Sequence, residues 1–228
     1  MLKPVFLLAD LDSINNISNN QPVLNSVITS LKTANPKAVC ISLFTYNITA
    51  IQKSVSACME TYGADYTTHL NENSHMDEFK NIERADVIIL ISGKPDLAQK
   101  HIQKTGIEGC ILNGYHKGAV IFGVSGGAVQ LGKLGWTIDK DKKYLFLEGL
   151  NIIPYAINIK DENHEWRALK DIIVNHYHDI HGLGIPGHGG IVHYPDRSIQ
   201  ALNQTSVEFQ FVDGKLWQNN IYPAGIDD

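Results

Sequence analysis
The sequence predicts an α/β fold with a mostly parallel central sheet, helices on both faces and an antiparallel C-terminal edge. Three observations carry this expectation. Apolar runs alternate with helically spaced segments over the first 130 or so residues. These runs are continuous, as in strands buried on both faces, and do not alternate apolar with polar. After about residue 133 the texture changes to short runs separated by turns.

Residues 5–8 are a short buried strand. Residues 20–35 carry Val23, Val27, Ile28 and Leu31 at helical spacing, with Pro36 just beyond. Residues 38–44 read as a second strand, 50–62 as a helix closed by Gly63, 67–70 as a weak third strand and 76–82 as a short helix. The run 86–92 (Asp-Val-Ile-Ile-Leu-Ile-Ser) is the clearest buried strand. Pro95 suits the first turn of a helix reaching Lys104, with Gly106 as its cap. Residues 107–117 are a further helix and 119–122 a further strand. Beyond them come a charged turn at 139–143, an amphipathic helix at 163–175 and short strands at 191–193, 198–202, 207–211 and 215–218. The last two flank Asp213-Gly214, a hairpin signal. No repeat or linker interrupts the chain, so residues 1–228 are expected to form one domain.

Composition excludes several classes. The chain has 228 residues, 43% of them hydrophobic, which is too apolar for a disordered segment and long enough to bury a core without staples. Its 19 Lys+Arg against 24 Asp+Glu argue against a nucleic-acid groove, which needs clustered cations. Cys40, Cys58 and Cys110 are far apart, odd in number and form no CxxC pair, as in a reducing compartment. The apolar run at the N-terminus ends in Asp10 without a small-residue cleavage site and reads as a strand. No stretch approaches the roughly 20 apolar residues of a membrane span. A soluble cytoplasmic protein is expected, without nucleic-acid or membrane partners.

The most informative segment is Gly118-Ala-Val-Ile-Phe-Gly123-Val-Ser125-Gly126-Gly127-Ala128. A buried strand runs into Gly-x-Ser-x-Gly, and residues 128–131 can begin a helix. Alone, the pattern fits a phosphate loop or a plain turn; with a strand before it and a helix after it, it fits a nucleophile elbow. Glycines at 123 and 127 leave room for the tight turn, and Ser125 stands at the carboxyl end of the sheet. The N–H of Gly126 is then the natural first oxyanion donor. Gly93, ending the strand 86–92, is the candidate second donor, and Lys94 beside it the candidate cation for an anionic group.

These residues resemble a known family. Ile91-Ser92-Gly93-Lys94, Thr105-Gly106-Ile107, Gly118 and Gly123-Val124-Ser125-Gly126-Gly127-Ala128 follow the order of serine peptidase family S51, which includes dipeptidase E and cyanophycinase. The family carries Gly-Gly-Asn, Thr-Gly-Leu, a glycine and Gly-x-Ser-Ala-Gly-Ala at these points. Glu148-Gly149-Leu150-Asn151-Ile152-Ile153-Pro154 and Gly182-Leu183-Gly184-Ile185-Pro186 look like two further family segments. The resemblance implies a class I glutamine-amidotransferase-like fold, a flavodoxin-like three-layer sandwich. It also implies a serine nucleophile, hydrolysis of small peptides at acidic residues and no metal or other cofactor.

The resemblance weakens at the partners of Ser125. The family histidine would fall on Lys160 or Asp161, and the family acid on Gly187; Lys94 replaces an asparagine and Gly126 an alanine. A serine hydroxyl needs a base. The candidates are His164, flanked by Asp161, Glu162 and Glu165; His188, in Gly187-His188-Gly189-Gly190; Lys160, in a Ser–Lys pair; or no base at all, in a non-catalytic protein that binds a small anion or a partner. Asp139 and Asp141 are candidate acids, although both sit in a charged turn. Lys94 or Arg167 would recognise a substrate carboxylate. The remaining histidines match no firm zinc spacing. The expected partner is a small peptide substrate, with a homodimer as the candidate assembly.

Overall fold
The computed structural model describes residues 1–13, 31, 33 and 35–223. The helix expected over residues 20–35 lies outside the described residues but for positions 31, 33 and 35. Along the chain come β1 (Val5–Leu8), β2 (Ala38–Leu43), α1 (Ile48–Thr61), β3 (Thr67–Asn71), a 3₁₀ segment (Met76–Arg84) and β4 (Val87–Ser92). Next are α2 (Pro95–Thr105), α3 (Ile107–His116), β5 (Val120–Ser125) and α4 (Gly126–Leu131). The rest comprises β6 (Leu134–Ile138), β7 (Tyr144–Glu148), β8 (Tyr155–Ile159), a 3₁₀ turn (Glu162–His164), α5 (Arg167–Asn175) and β9 (His181–Ile185). It ends with β10 (Gly190–His193), β11 (Ile199–Leu202), β12 (Ser206–Val212) and β13 (Lys215–Ile221).

Among the described residues, seven strands form one sheet in the order β11-β10-β1-β5-β4-β2-β3. The five from β1 to β5 run parallel, and β10 and β11 add the antiparallel edge beyond β1. Every residue of β1, β2 and β4 is buried, as continuous apolar runs require when both faces are covered. One face packs on α1 through Val55, Cys58 and Met59. The other packs on α2 and α3 through Ala98, Ile102, Ile107 and Ile111.

A second sheet runs β13-β12-β9-β8-β6-β7; the sequence showed its Asp213-Gly214 hairpin but not the sheet that the hairpin joins. Ile157, Leu183 and Ile185 turn one of its faces into the apolar cluster of the first sheet, while α5 covers the other. The strand β9 is hidden in the sequence by its two glycines. A Cβ on Gly182 would stand 2.8 Å from Leu169, and one on Gly184 2.7 Å from Trp166, so both positions are bare because α5 and Trp166 press on the strand.

Two local expectations change. The short helix expected at 76–82 is a 3₁₀ segment, and its buried residues Phe79 and Ile82 stand three apart, the repeat of that helix. The helix expected from 163 starts at Arg167, because Glu165 and Trp166 both take positive φ (55° and 58°) and break the chain after the 3₁₀ turn. None of the described helices is long and apolar enough to cross a membrane.

Candidate active site
The carboxyl ends of the parallel strands meet around one cavity of about 330 Å³. Asp10 and Asp12 come from the turn after β1, Thr45 and Tyr46 follow β2, Ser92 and Gly93 close β4, and Ser125 closes β5. The second sheet adds one cation. Lys160 follows β8 at φ 56°, its N–H donates to the Ile185 carbonyl (2.9 Å), and its side chain lines the same cavity.

Ser125 has φ 55° and ψ −126°, a conformation that costs a non-glycine residue about 1–3 kcal/mol. The turn exists because neighbouring positions are bare. A Cβ on Gly123 would stand 2.7 Å from the Ala128 Cα, and one on Gly127 2.6 Å from the Leu90 carbonyl carbon, so α4 lies directly against β4 and β5. At Gly126 the space a Cβ would need is held by the Ser92 hydroxyl. Ser92 thus fills, from the neighbouring strand, the space beside Gly126.

The carboxylate of Asp10 organises the cavity wall. It accepts from the Ser13 N–H and hydroxyl (3.0 and 2.8 Å) and from the His188 N–H (3.0 Å), and lies 3.5 Å from the Lys160 ammonium. Burial pushes its pKa up, but these donors and the lysine charge outweigh burial and hold the carboxyl below the usual range. The Nδ1 of His188 lies 3.6 Å from the same carboxylate, with the ring 66% exposed at the rim.

Of the sequence candidates, Ser125, Gly93 and Lys160 line this cavity and His188 reaches its wall through Asp10. Gly126 opens α4 directly after the serine. Other candidates lie elsewhere. His164 is 78% exposed on the 3₁₀ turn, bonded to Asp161 (2.9 Å), and does not line the cavity. Asp139 caps the β6–β7 hairpin, accepting from the Asp141 and Lys143 N–H groups (2.9 and 2.8 Å), which gives it a turn-forming role away from Ser125. The N–H of Gly93 donates to the Leu43 carbonyl (3.3 Å) and is already engaged. Lys94 sits at the rim, its ammonium 5.9 Å from the centre of the Tyr46 ring. Arg167 is exposed at the start of α5. At Gly187, where the resemblance put an acid, an acid does arrive, but from Glu162, which accepts the Gly187 N–H (3.0 Å).

Sequence reasoning missed Asp10, Thr45 and Ser92 as site residues. Their signal was positional: each stands at or just beyond the end of a buried strand, where a parallel sheet gathers its ligands. Among the described residues, Asp10, Asp12 and His188 bring ligand atoms within 4.8 Å of one another. The Lys160 ammonium beside Asp10 opposes a cation there.

Over residues 12–202 the chain matches the model of peptidase family S51. Its fold is similar to that of a peptidase from an acI-B1 Actinobacterium, with a TM-score of 0.73 and 14% identity over 98% of this chain and 96% of that one. It is also similar to a peptidase E-type protein from Listeria monocytogenes EGD-e, with a TM-score of 0.63 and 17% identity over 90% of this chain and all of the other. No curated protein sequence matches it.

Proposed function
Because the chain belongs to peptidase family S51, we propose that it hydrolyses small peptides through Ser125, with Lys160 as the proton carrier and Asp10 as its acidic partner. The observation that carries this reading is the shared cavity: Ser125, on a strained turn after β5, and Lys160, delivered by the second sheet, line the same space. Lys160 is also one of the two positions where the resemblance expects the catalytic histidine.

In this reading Ser125 Oγ attacks the scissile carbonyl, its proton passes to Lys160, and the Gly126 N–H holds the oxyanion. Lys160 then protonates the leaving amine, and water hydrolyses the acyl-enzyme by the reverse route. To serve as base Lys160 must be the neutral amine, so one proton has to pass from its ammonium to the Asp10 carboxylate or to water before Ser125 attacks, and a substrate that fills the cavity and strips water from the pair favours that transfer. Lys94 at the rim is the cation for a substrate carboxylate, which makes aspartyl dipeptides the first substrates to try.

The Lys160–Asp10 pair favours one other reading, a non-catalytic protein that holds an anion beside the Lys160 side chain. Kinetics separate the two. Lys160→Ala should lower kcat on aspartyl dipeptides by about 100-fold or more, the range of general-base catalysis, while His164→Ala stays near wild type. A folded wild-type protein that binds such peptides and turns none over supports the second reading.

A further inference from the structure
We infer that the Ser92 hydroxyl is a second oxyanion donor, an element of this site that the elbow pattern does not contain; the inference rests on the serine-peptidase reading above. Ser92 ends β4 and is the register partner of Ser125 on the neighbouring parallel strand. It is 1% exposed, belongs to the lining of the Ser125 cavity, and its Oγ has no hydrogen-bond partner among the described residues. That Oγ occupies the space a Cβ on Gly126 would take, and the Gly126 N–H is the first oxyanion donor of this reading.

Several facts converge on this role. A buried hydroxyl without an acceptor disfavours folding, so its presence calls for a compensating use. The main-chain group that would otherwise be the second donor, the Gly93 N–H, is spent on the Leu43 carbonyl. An oxyanion is an acceptor that exists only after Ser125 has attacked. A donor left unpaired in the free protein then gains its bond in the transition state alone, the condition for raising kcat without tightening substrate binding. Thr45 Oγ1 is likewise buried and unpartnered on the same cavity, but it follows β2, two strands from Ser125, and is assigned no part in this step.

The covalent balance is simple. The Ser125 Oγ–C bond forms as the carbonyl π bond opens, its electron pair goes to the oxygen, and the hydroxyls and N–H groups around it only donate hydrogen bonds. No oxidant or co-reactant is required.

Ser92→Ala removes the hydroxyl beside Gly126 and keeps the Cβ, and the small space it leaves is offset by the loss of an unpaired buried polar group. The variant should melt no lower than wild type, lose about 100-fold in kcat on an aspartyl dipeptide and keep KM within about twofold. Its affinity for a peptide aldehyde, which forms an oxyanion on Ser125, should fall in parallel. Affinity for the product dipeptide fragment should not change, a pattern that a purely space-filling role would not give. Ser92→Ala turnover and aldehyde affinity within about twofold of wild type would overturn the inference and leave the peptidase reading standing. A wild-type protein that neither hydrolyses the dipeptide nor captures the aldehyde would overturn both.

Discussion
Gly127→Ala tests the packing that creates the elbow. A methyl group there would overlap the Leu90 carbonyl oxygen and lie 2.6 Å from the carbonyl carbon and 3.1 Å from the Ile91 nitrogen. Carbon atoms in comfortable contact stand about 3.5–4.0 Å apart, so α4 and β4 must separate by about 1 Å. Neither side yields easily, since β4 is held between β2 and β5 and α4 is tied to β5 through Ser125. Overpacking of this kind costs about 1–3 kcal/mol, and with backbone as the obstacle the upper figure applies. For a chain of this size that is a fall in Tm of roughly 6–12 °C. The same displacement moves Ser125, and a misplacement of about 1 Å costs on the order of 100-fold in rate. Calorimetry and turnover of an aspartyl dipeptide read the two effects separately. A melt within about 2 °C of wild type with turnover intact would refute the claim that α4 is seated on bare β4 backbone.

Gly109→Ala lies on the exposed face of α3 with nothing within 4 Å of the new methyl, so it should stabilise the protein by about 0.5–1 kcal/mol; a lower Tm would contradict the helix assignment. Burial pushes the thiols of Cys40 and Cys58 up to about 12 and about 11, so both should resist iodoacetamide at neutral pH until the protein is denatured. Fast native labelling of Cys40 would contradict its position in the core. His193 is buried, and burial together with the Arg197 cation holds its pKa below the usual value. On acidification the unfolded chain takes up the proton first, so stability is full above about pH 6.5 and declines as the pH falls toward the folded-state pKa. His193→Gln should flatten that decline, and an unchanged pH profile would remove His193 from it.

Much of the first sheet could be read directly because its strands are buried on both faces, so Val87–Ile91 and Val5–Leu8 show as unbroken apolar runs. Of the second sheet only the Asp213-Gly214 hairpin was legible. Gly182 and Gly184 strip β9 of strand character to admit Leu169 and Trp166, and β7 is only half buried. At the site, Ser125 was visible because an elbow needs glycines at fixed offsets within a few residues. Of its partners, Lys160 stood as one candidate base among several and Asp10 and Ser92 were not visible, because the three reach the cavity from separate strand ends and only topology brings them together. His164 drew attention through its acidic neighbours, yet those neighbours hold it on an exposed turn. Ser92 and Gly126 looked like unrelated residues until the hydroxyl of one was found in the space of the other's missing methyl group.

Covalent labelling tests the central claim, that Ser125 is an activated nucleophile. The intact protein, incubated with a fluorophosphonate and analysed by mass spectrometry, should gain one adduct per chain. That adduct should map to the peptide containing Ser125 and be absent in Ser125→Ala. A folded wild-type protein that takes up no adduct, or an adduct that persists in Ser125→Ala, would contradict it.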